Sequence, residues 1–105
     1  MSPGTIEAQI HQRHAALASA NRVRQARAEL KRRIASGEVT AAEVILLHQR
    51  DIETMEVAVV LTSQRHWGNL RCRRFLTPMH VHENKTIGSL TERQRLALAA
   101  RLNRP

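Results

Sequence analysis

With one Trp, one Phe and no Tyr in 105 residues, this chain cannot build its interior on aromatic rings. The core has to be aliphatic, and packed helices are the easiest way to close Val, Leu, Ile and Ala side chains away from water. Three Pro and four Gly fall mostly at plausible helix boundaries, which agrees with an all-α fold. The length is enough for one domain and too short for two.

Along the chain, Ser2-Pro3-Gly4 reads as a loose terminus. Thr5 can cap a helix, and Ile6, Ile10 and Leu17 sit at weak helical spacing. Residues 5–20 carry little apolar surface, so residues 1–20 are expected as a flexible or marginally helical arm. From Asn21 to Ser36 the helical pattern strengthens, with Val23, Ala26, Leu30 and Ile34 along one face and Gly37 as the residue after the helix. Arg22, Arg24, Arg27, Lys31, Arg32 and Arg33 cover much of the remaining surface, opposed only by Glu29.

Thr40 to Glu43 has capping-box spacing and opens a short helix whose Val44, Ile45, Leu46 and Leu47 are expected in the core. Asp51 is expected to cap the next helix, carrying Ile52, Met55, Val57, Val59, Val60 and Leu61 into a buried central position. Gly68 opens a short helix to Leu76, anchored by Leu70, Phe75 and Leu76, with Cys72 at a close crossing. Pro78 stops it and pushes Thr77 towards an extended conformation. After a loop from His80 to Gly88, the last helix starts near Ser89 to Thr91, where Ser89/Glu92 and Thr91/Gln94 both have capping-box spacing. It is expected to bury Leu96, Ala99 and Ala100 and to expose Arg93, Arg95 and Arg101. There is no internal repeat and no low-complexity tract.

The net charge is +8, from 17 basic and nine acidic residues, and nearly all the cations are Arg. Such a balance predicts attraction to a polyanion. A membrane surface is the main alternative polyanion, but the chain lacks a long apolar run, a signal-peptide pattern, and an apolar face opposite the arginines. Cys72 is the only cysteine, so no internal disulfide forms and a reducing cytoplasm is expected.

The charge is concentrated. From Val57 to His82 there is no acidic residue, yet Arg65, Arg71, Arg73 and Arg74 all fall there, around the turn Trp67-Gly68-Asn69. A turn feeding a helix start leaves backbone N–H groups free, and the helix dipole favours an anion at that end. Arginines flanking those donors match a nucleic-acid phosphate. No aromatic pair suits base stacking, which favours duplex DNA over single strands or RNA loops. A Trp between two helices reads as a hydrophobic plug in preference to an intercalating wedge. His80 and His82 with His66 or Cys72 lack structural zinc spacing, and no carboxylate pair or triad is placed for catalysis, so neither a metal, a cofactor nor an enzymatic activity is expected.

Several segments occur together that resemble the actinobacterial integration host factors. They are Arg27-Ala-Glu-Leu-Lys31, Ser36-Gly37, Met55-Glu-Val57, the ungapped stretch from Leu61 to Leu76, and Ile87-Gly88-Ser89-Leu90 before a final helix. The resemblance covers about residues 21–102. It implies a long N-terminal helix packed on a small helical domain (residues 21–105) with a helix–two-turns–helix module at about 52–102. It implies a monomeric, nucleoid-associated protein that binds double-stranded DNA with little sequence preference, bends or constrains it, and supports site-specific recombination alongside a recombinase. By position, Trp67, Gly68, Asn69, Arg71 and Arg73 match the family's phosphate-binding turn, and Lys85 matches a basic group before the last helix. Arg65, Arg74 and the Arg22–Arg33 helix extend the expected contact surface. Where the family usually has Gly-x-Gly-Lys, this chain has His66-Trp67-Gly68-Asn69, and Thr86 and Gly88 stand where arginines usually cluster; a divergent or phage-encoded relative fits these differences. The rival readings are an RNA- or ribosome-associated protein built on the same module, and a phage adaptor binding an acidic host protein.

Overall fold

The computed structural model describes residues 5–104, so the expectation for Ser2-Pro3-Gly4 lies outside the described residues. Five α-helices follow in order: α1 (Thr5–Ser36), α2 (Ala41–Leu47), α3 (Val57–Thr62), α4 (Asn69–Leu76) and α5 (Glu92–Leu102). Short 3-10 turns at Arg50–Ile52, Thr77–Met79 and Ile87–Ser89 join them, and among the described residues there is no strand, only an isolated bridge between Glu56 and Thr86. The fold is all-α.

One helix runs unbroken from Thr5 to Ser36, through the described part of the arm expected to be flexible or marginally helical. Residues 5–20 contain no Gly or Pro and are rich in Ala and Gln, so they extend a helix already nucleated downstream at little cost. Their apolar content does no packing: Ile6, Ile10 and Leu17 are exposed. The first α1 side chain to be fully buried is Ile34, and the projecting helix draws the molecule out to 62 × 27 × 23 Å. Gly37, at φ 82°, ends α1 in the left-handed region as the sequence indicates.

The core gathers Ile45, Val57, Val60, Leu61, Cys72, Leu76, Ile87 and Leu98, one to three residues from each of α2 to α5 and from the last 3-10 turn. Burial of such a side chain contributes about 1.5–3 kcal/mol. On α2 the Thr40 box forms as expected, but only Val44 and Ile45 of the apolar run are buried; Leu46 and Leu47 are exposed. Four consecutive residues sweep right round a helix at about 100° each, so they cannot all face inward.

The helix expected from Asp51 through Leu61 is instead a 3-10 turn and a separate α3. Its backbone groups are taken by the loop before α5. Gly88 N–H donates to Glu53 O at 2.8 Å, Ile87 N–H to Met55 O at 2.8 Å, and Val57 N–H to Lys85 O at 2.7 Å. A continuous helix needs those same carbonyls and amides for its own ladder. Gly88 is required here by close approach, because a Cβ would lie 2.9 Å from Glu53 Cβ.

Thr77 is helical (φ −55°, ψ −48°), not extended, and its hydroxyl donates to Arg73 O at 2.7 Å. Pro78 sits in the first turn of the following 3-10 segment, where its missing N–H costs nothing. On α5 only the Thr91/Gln94 box forms; Ser89 belongs to a 3-10 turn and its hydroxyl donates to Thr86 O. The buried face of α5 is Arg95, Leu98 and Ala99, whereas Leu96 and Ala100 are exposed. Arg95 sets this rotation. Its guanidinium donates to Ile45 O (3.3 Å), Leu90 O (3.0 Å) and Gly88 O (3.5 Å), tying the end of α2 to the loop before α5.

Candidate nucleic-acid interface

The turn between α3 and α4 is built by side chains that finish α3. Thr62 and Ser63 hydroxyls donate to Ala58 O and Val59 O, and Gln64 Nε2 donates to Leu61 O at 3.0 Å. Trp67 N–H then donates to Gln64 O, closing a turn in which the left-handed residue is His66 (φ 67°). Gly68 has φ −91° and ψ 179°, a conformation any residue adopts, and nothing lies within 4 Å of where its Cβ would be. The fold itself does not require glycine at 68. What glycine leaves there is an uncovered helix start.

Among α2 to α5 this start is distinctive. Thr40 and Thr91 cap α2 and α5 with reciprocal boxes, and the amides of Val57 and Ala58 at the start of α3 donate to Lys85 O and Glu83 O. Gly68 makes no side-chain cap, and no acceptor among the described residues meets the amides of Gly68, Asn69, Leu70 or Arg71. Gly68, Asn69 and Leu70 are all exposed, the last a correction to its expected anchoring role. Three or four convergent N–H donors at the positive end of a helix dipole make a ready anion seat.

The arginines of α4 divide over its two flanks, since residues two apart point about 200° apart on a helix. Arg71 turns towards α5, its guanidinium 4.3 Å from the Trp67 ring centroid. Trp67 is half-buried against the core and meets Phe75 edge-on at 5.3 Å, the plug arrangement. Arg73 turns the other way and lies 3.6 Å from Glu83, a carboxylate the acid-free stretch of sequence did not foreshadow. Arg74 is exposed between them. Arg65 is exposed beside the α1–α2 turn, in a shallow cavity lined also by Ile34 to Gly37 and Gln64. Lys85 is half-buried, its main chain pinned against the start of α3.

The cations of α1 do not form one face. Arg24, Arg27 and Lys31 fall within about 60° of one another, with Arg22, Arg32 and Arg33 round the other side. Arg27 is half-buried and bonded to Thr54, Arg32 pairs with Glu29, and Arg33 pairs with Glu38 at 3.4 Å, so Glu29 is not their sole opponent. Arg22, Arg24 and Lys31 are exposed and make no ion pair among the described residues.

Two cations outside the expected set join this region. Arg101 lies over the Phe75 ring at 5.1 Å, and Arg104 lines the same groove. Arg101 is in the last turn of α5 and Arg104 lies beyond its end, and nothing local to either residue says that this segment meets α4. Cys72, behind the turn, is buried, and its thiol is held above its ordinary pKa by burial, with Glu83 adding to the effect and Arg73 opposing it. Among the described residues no group of three or more His, Cys, Asp or Glu side chains is placed to hold a metal ion, and no helix is long and apolar enough to cross a membrane.

No family profile matches the chain. Two curated relatives, the integration host factors of Mycolicibacterium smegmatis and Mycobacterium tuberculosis, are each 32% identical over 89 residues, spanning 83% of this chain and 85% of theirs. Among solved structures, that of sIHF bound to an 8-base-pair palindromic DNA superposes with a TM-score of 0.73 at 24% identity, covering 80% of this chain and 97% of that one. This likeness shows the fold, with the same helical arrangement over most of both chains.

Proposed function

Because the chain belongs to the integration host factor family, we propose that it is a nucleoid-associated protein that binds double-stranded DNA through its sugar–phosphate backbone. The observation that carries the reading is the uncapped start of α4, whose free amides share a helix with the exposed Arg71 and Arg74. In this reading a phosphate sits on the Gly68–Arg71 amides, with Asn69 and Trp67 at its border. Arg65, Arg73 and Lys85 supply neighbouring charge, and Arg22, Arg24, Arg27, Lys31, Arg32 and Arg33 of α1 form a second, more dispersed surface. We read residues 52–102 as a helix–two-turns–helix module within a domain of residues 21–105, with the first twenty residues as an arm.

Backbone contacts fix a protein on a duplex without reading its sequence. The protein therefore works as a monomeric binding factor, not an enzyme, that bends or constrains cytoplasmic DNA and supports a recombinase complex. Electrophoretic shifts on random and GC- or AT-rich duplexes test this. Neutralising about six phosphates gives a slope of log K against log salt near −5, alike for all sequences. A slope near zero, or binding confined to one sequence, refutes it; tighter binding to structured RNA than to duplex DNA also refutes it.

A further inference from the structure

The groove between α4 and α5 is not explained by a single phosphate at the Gly68 turn. It has a volume of about 420 Å³ and is lined by Trp67, Phe75, Leu102 and the arginines of positions 71, 74, 101 and 104. Among the described residues no carboxylate lines it, and none of its four arginines makes an ion pair, in contrast to Arg32, Arg33 and Arg73. Two of the four lie over rings: Arg71 over Trp67 and Arg101 over Phe75, the two rings themselves meeting edge to face. A cation–π contact with one side of a guanidinium leaves N–H donors free to recognise phosphate.

Four like charges gathered on one concave surface repel one another unless an anion screens them. The rings hold two of these charges in place, so less rotamer freedom is lost when an anion arrives. We infer that the α4–α5 groove, through Arg71, Arg74, Arg101 and Arg104, is a second seat for the phosphodiester backbone of duplex DNA, on the flank of α4 away from Arg73. The inference rests on the DNA-binding reading above and adds Arg101 and Arg104, which lie outside the turn and outside α1. A backbone held both at the Gly68 amides and along this groove belongs either to one duplex curving round α4 or to two duplexes brought together. The phosphate chemistry is the same in both cases.

The test uses the full chain with Arg101→Gln/Arg104→Gln, a change that retains helix propensity at 101 and part of each side-chain stem, and Arg104→Gln alone as a control that keeps the Arg101 contact with Phe75. Binding is measured on a duplex of about 10 base pairs, which spans roughly 34 Å, and on one of about 30 base pairs, longer than the protein itself. On the long duplex the double variant is expected to bind at least about tenfold more weakly, with a salt slope reduced by about two units, and the single variant by about one. If one duplex curves round, the short duplex is little affected. If two duplexes are joined, capture of free duplex by bead-bound duplex is lost as well. Unchanged affinity and slope on the long duplex in both variants overturns the second seat while leaving the Gly68 reading intact. That reading is judged separately by Gly68→Ser, and a wild-type protein that binds neither duplex overturns both.

Discussion

Replacing Gly68 with serine separates the needs of the fold from those of a ligand. Position 68 is the N-cap of α4, its dihedral angles are ordinary, and a Cβ there meets nothing within 4 Å. Serine is the better cap by a few tenths of a kcal/mol, and losing glycine's freedom in the unfolded chain contributes about 0.4–1 kcal/mol more. The variant should therefore melt higher by about 2–10 °C, since 1 kcal/mol shifts the midpoint of a domain this size by roughly 4–8 °C. The same hydroxyl accepts from the Leu70 or Arg71 amide, which the proposal gives to a phosphate. An N–H bond to a charged oxygen contributes about 1.5–3 kcal/mol, so DNA affinity should fall by roughly tenfold to a hundredfold. Thermal melting by circular dichroism and fluorescence anisotropy on one duplex at fixed salt measure the two quantities side by side. Gly68→Ala adds the methyl group without the acceptor and should lose much less affinity. A serine variant that melts higher and binds as the wild type does would refute the assignment of those amides to DNA.

Two further outcomes follow from the same geometry. Arg73 is held by Glu83 at 3.6 Å, so Glu83→Gln should tighten duplex binding severalfold by releasing that guanidinium; a salt titration in which the variant binds more weakly would contradict the placement. Arg95→Leu removes a buried cation and leaves three carbonyls short of a donor, costing about 2–4 kcal/mol and lowering the melting midpoint by at least about 8 °C. A melt within 2 °C of wild type would show that the guanidinium does not tie α2 to the loop.

What could be read from the sequence and what could not divides along local and long-range hydrogen bonding. The Thr40 and Thr91 boxes, the Gly37 stop and the opening of α4 after Gly68 each depend on residues within a few positions, and each is found where the residues place it. The break between Ile52 and Val57 is imposed by the amides of Ile87 and Gly88 and the carbonyl of Lys85, some thirty residues away. The rotation of α5 was hidden for the same reason. An arginine in an amphipathic helix reads as a solvent-facing residue, and the carbonyls that draw Arg95 inward belong to Ile45, Gly88 and Leu90. At the site, local reading found the turn and its arginines, but a helical spacing alone could not show which flank of α4 would meet Glu83 and which would meet Phe75.

The scarcity of aromatic residues that forced an aliphatic core also limits what the surface can recognise. The chain has two aromatic rings, and both are committed to the seam between α4 and α5, Trp67 beneath Arg71 and Phe75 beneath Arg101. With its ring face under a guanidinium and its edge contact made to Phe75, Trp67 is not free to enter a base step without giving up contacts that hold α4 in place. Base stacking, and kinking by an aromatic wedge, both need a ring that can leave the protein. The polar groups that remain exposed at the turn include guanidinium and main-chain N–H, which bind phosphates regardless of base. Discrimination among sequences must then come from how readily the duplex deforms to reach these donors, so flexible pyrimidine–purine steps at the site should matter more than the identity of any base pair facing the protein.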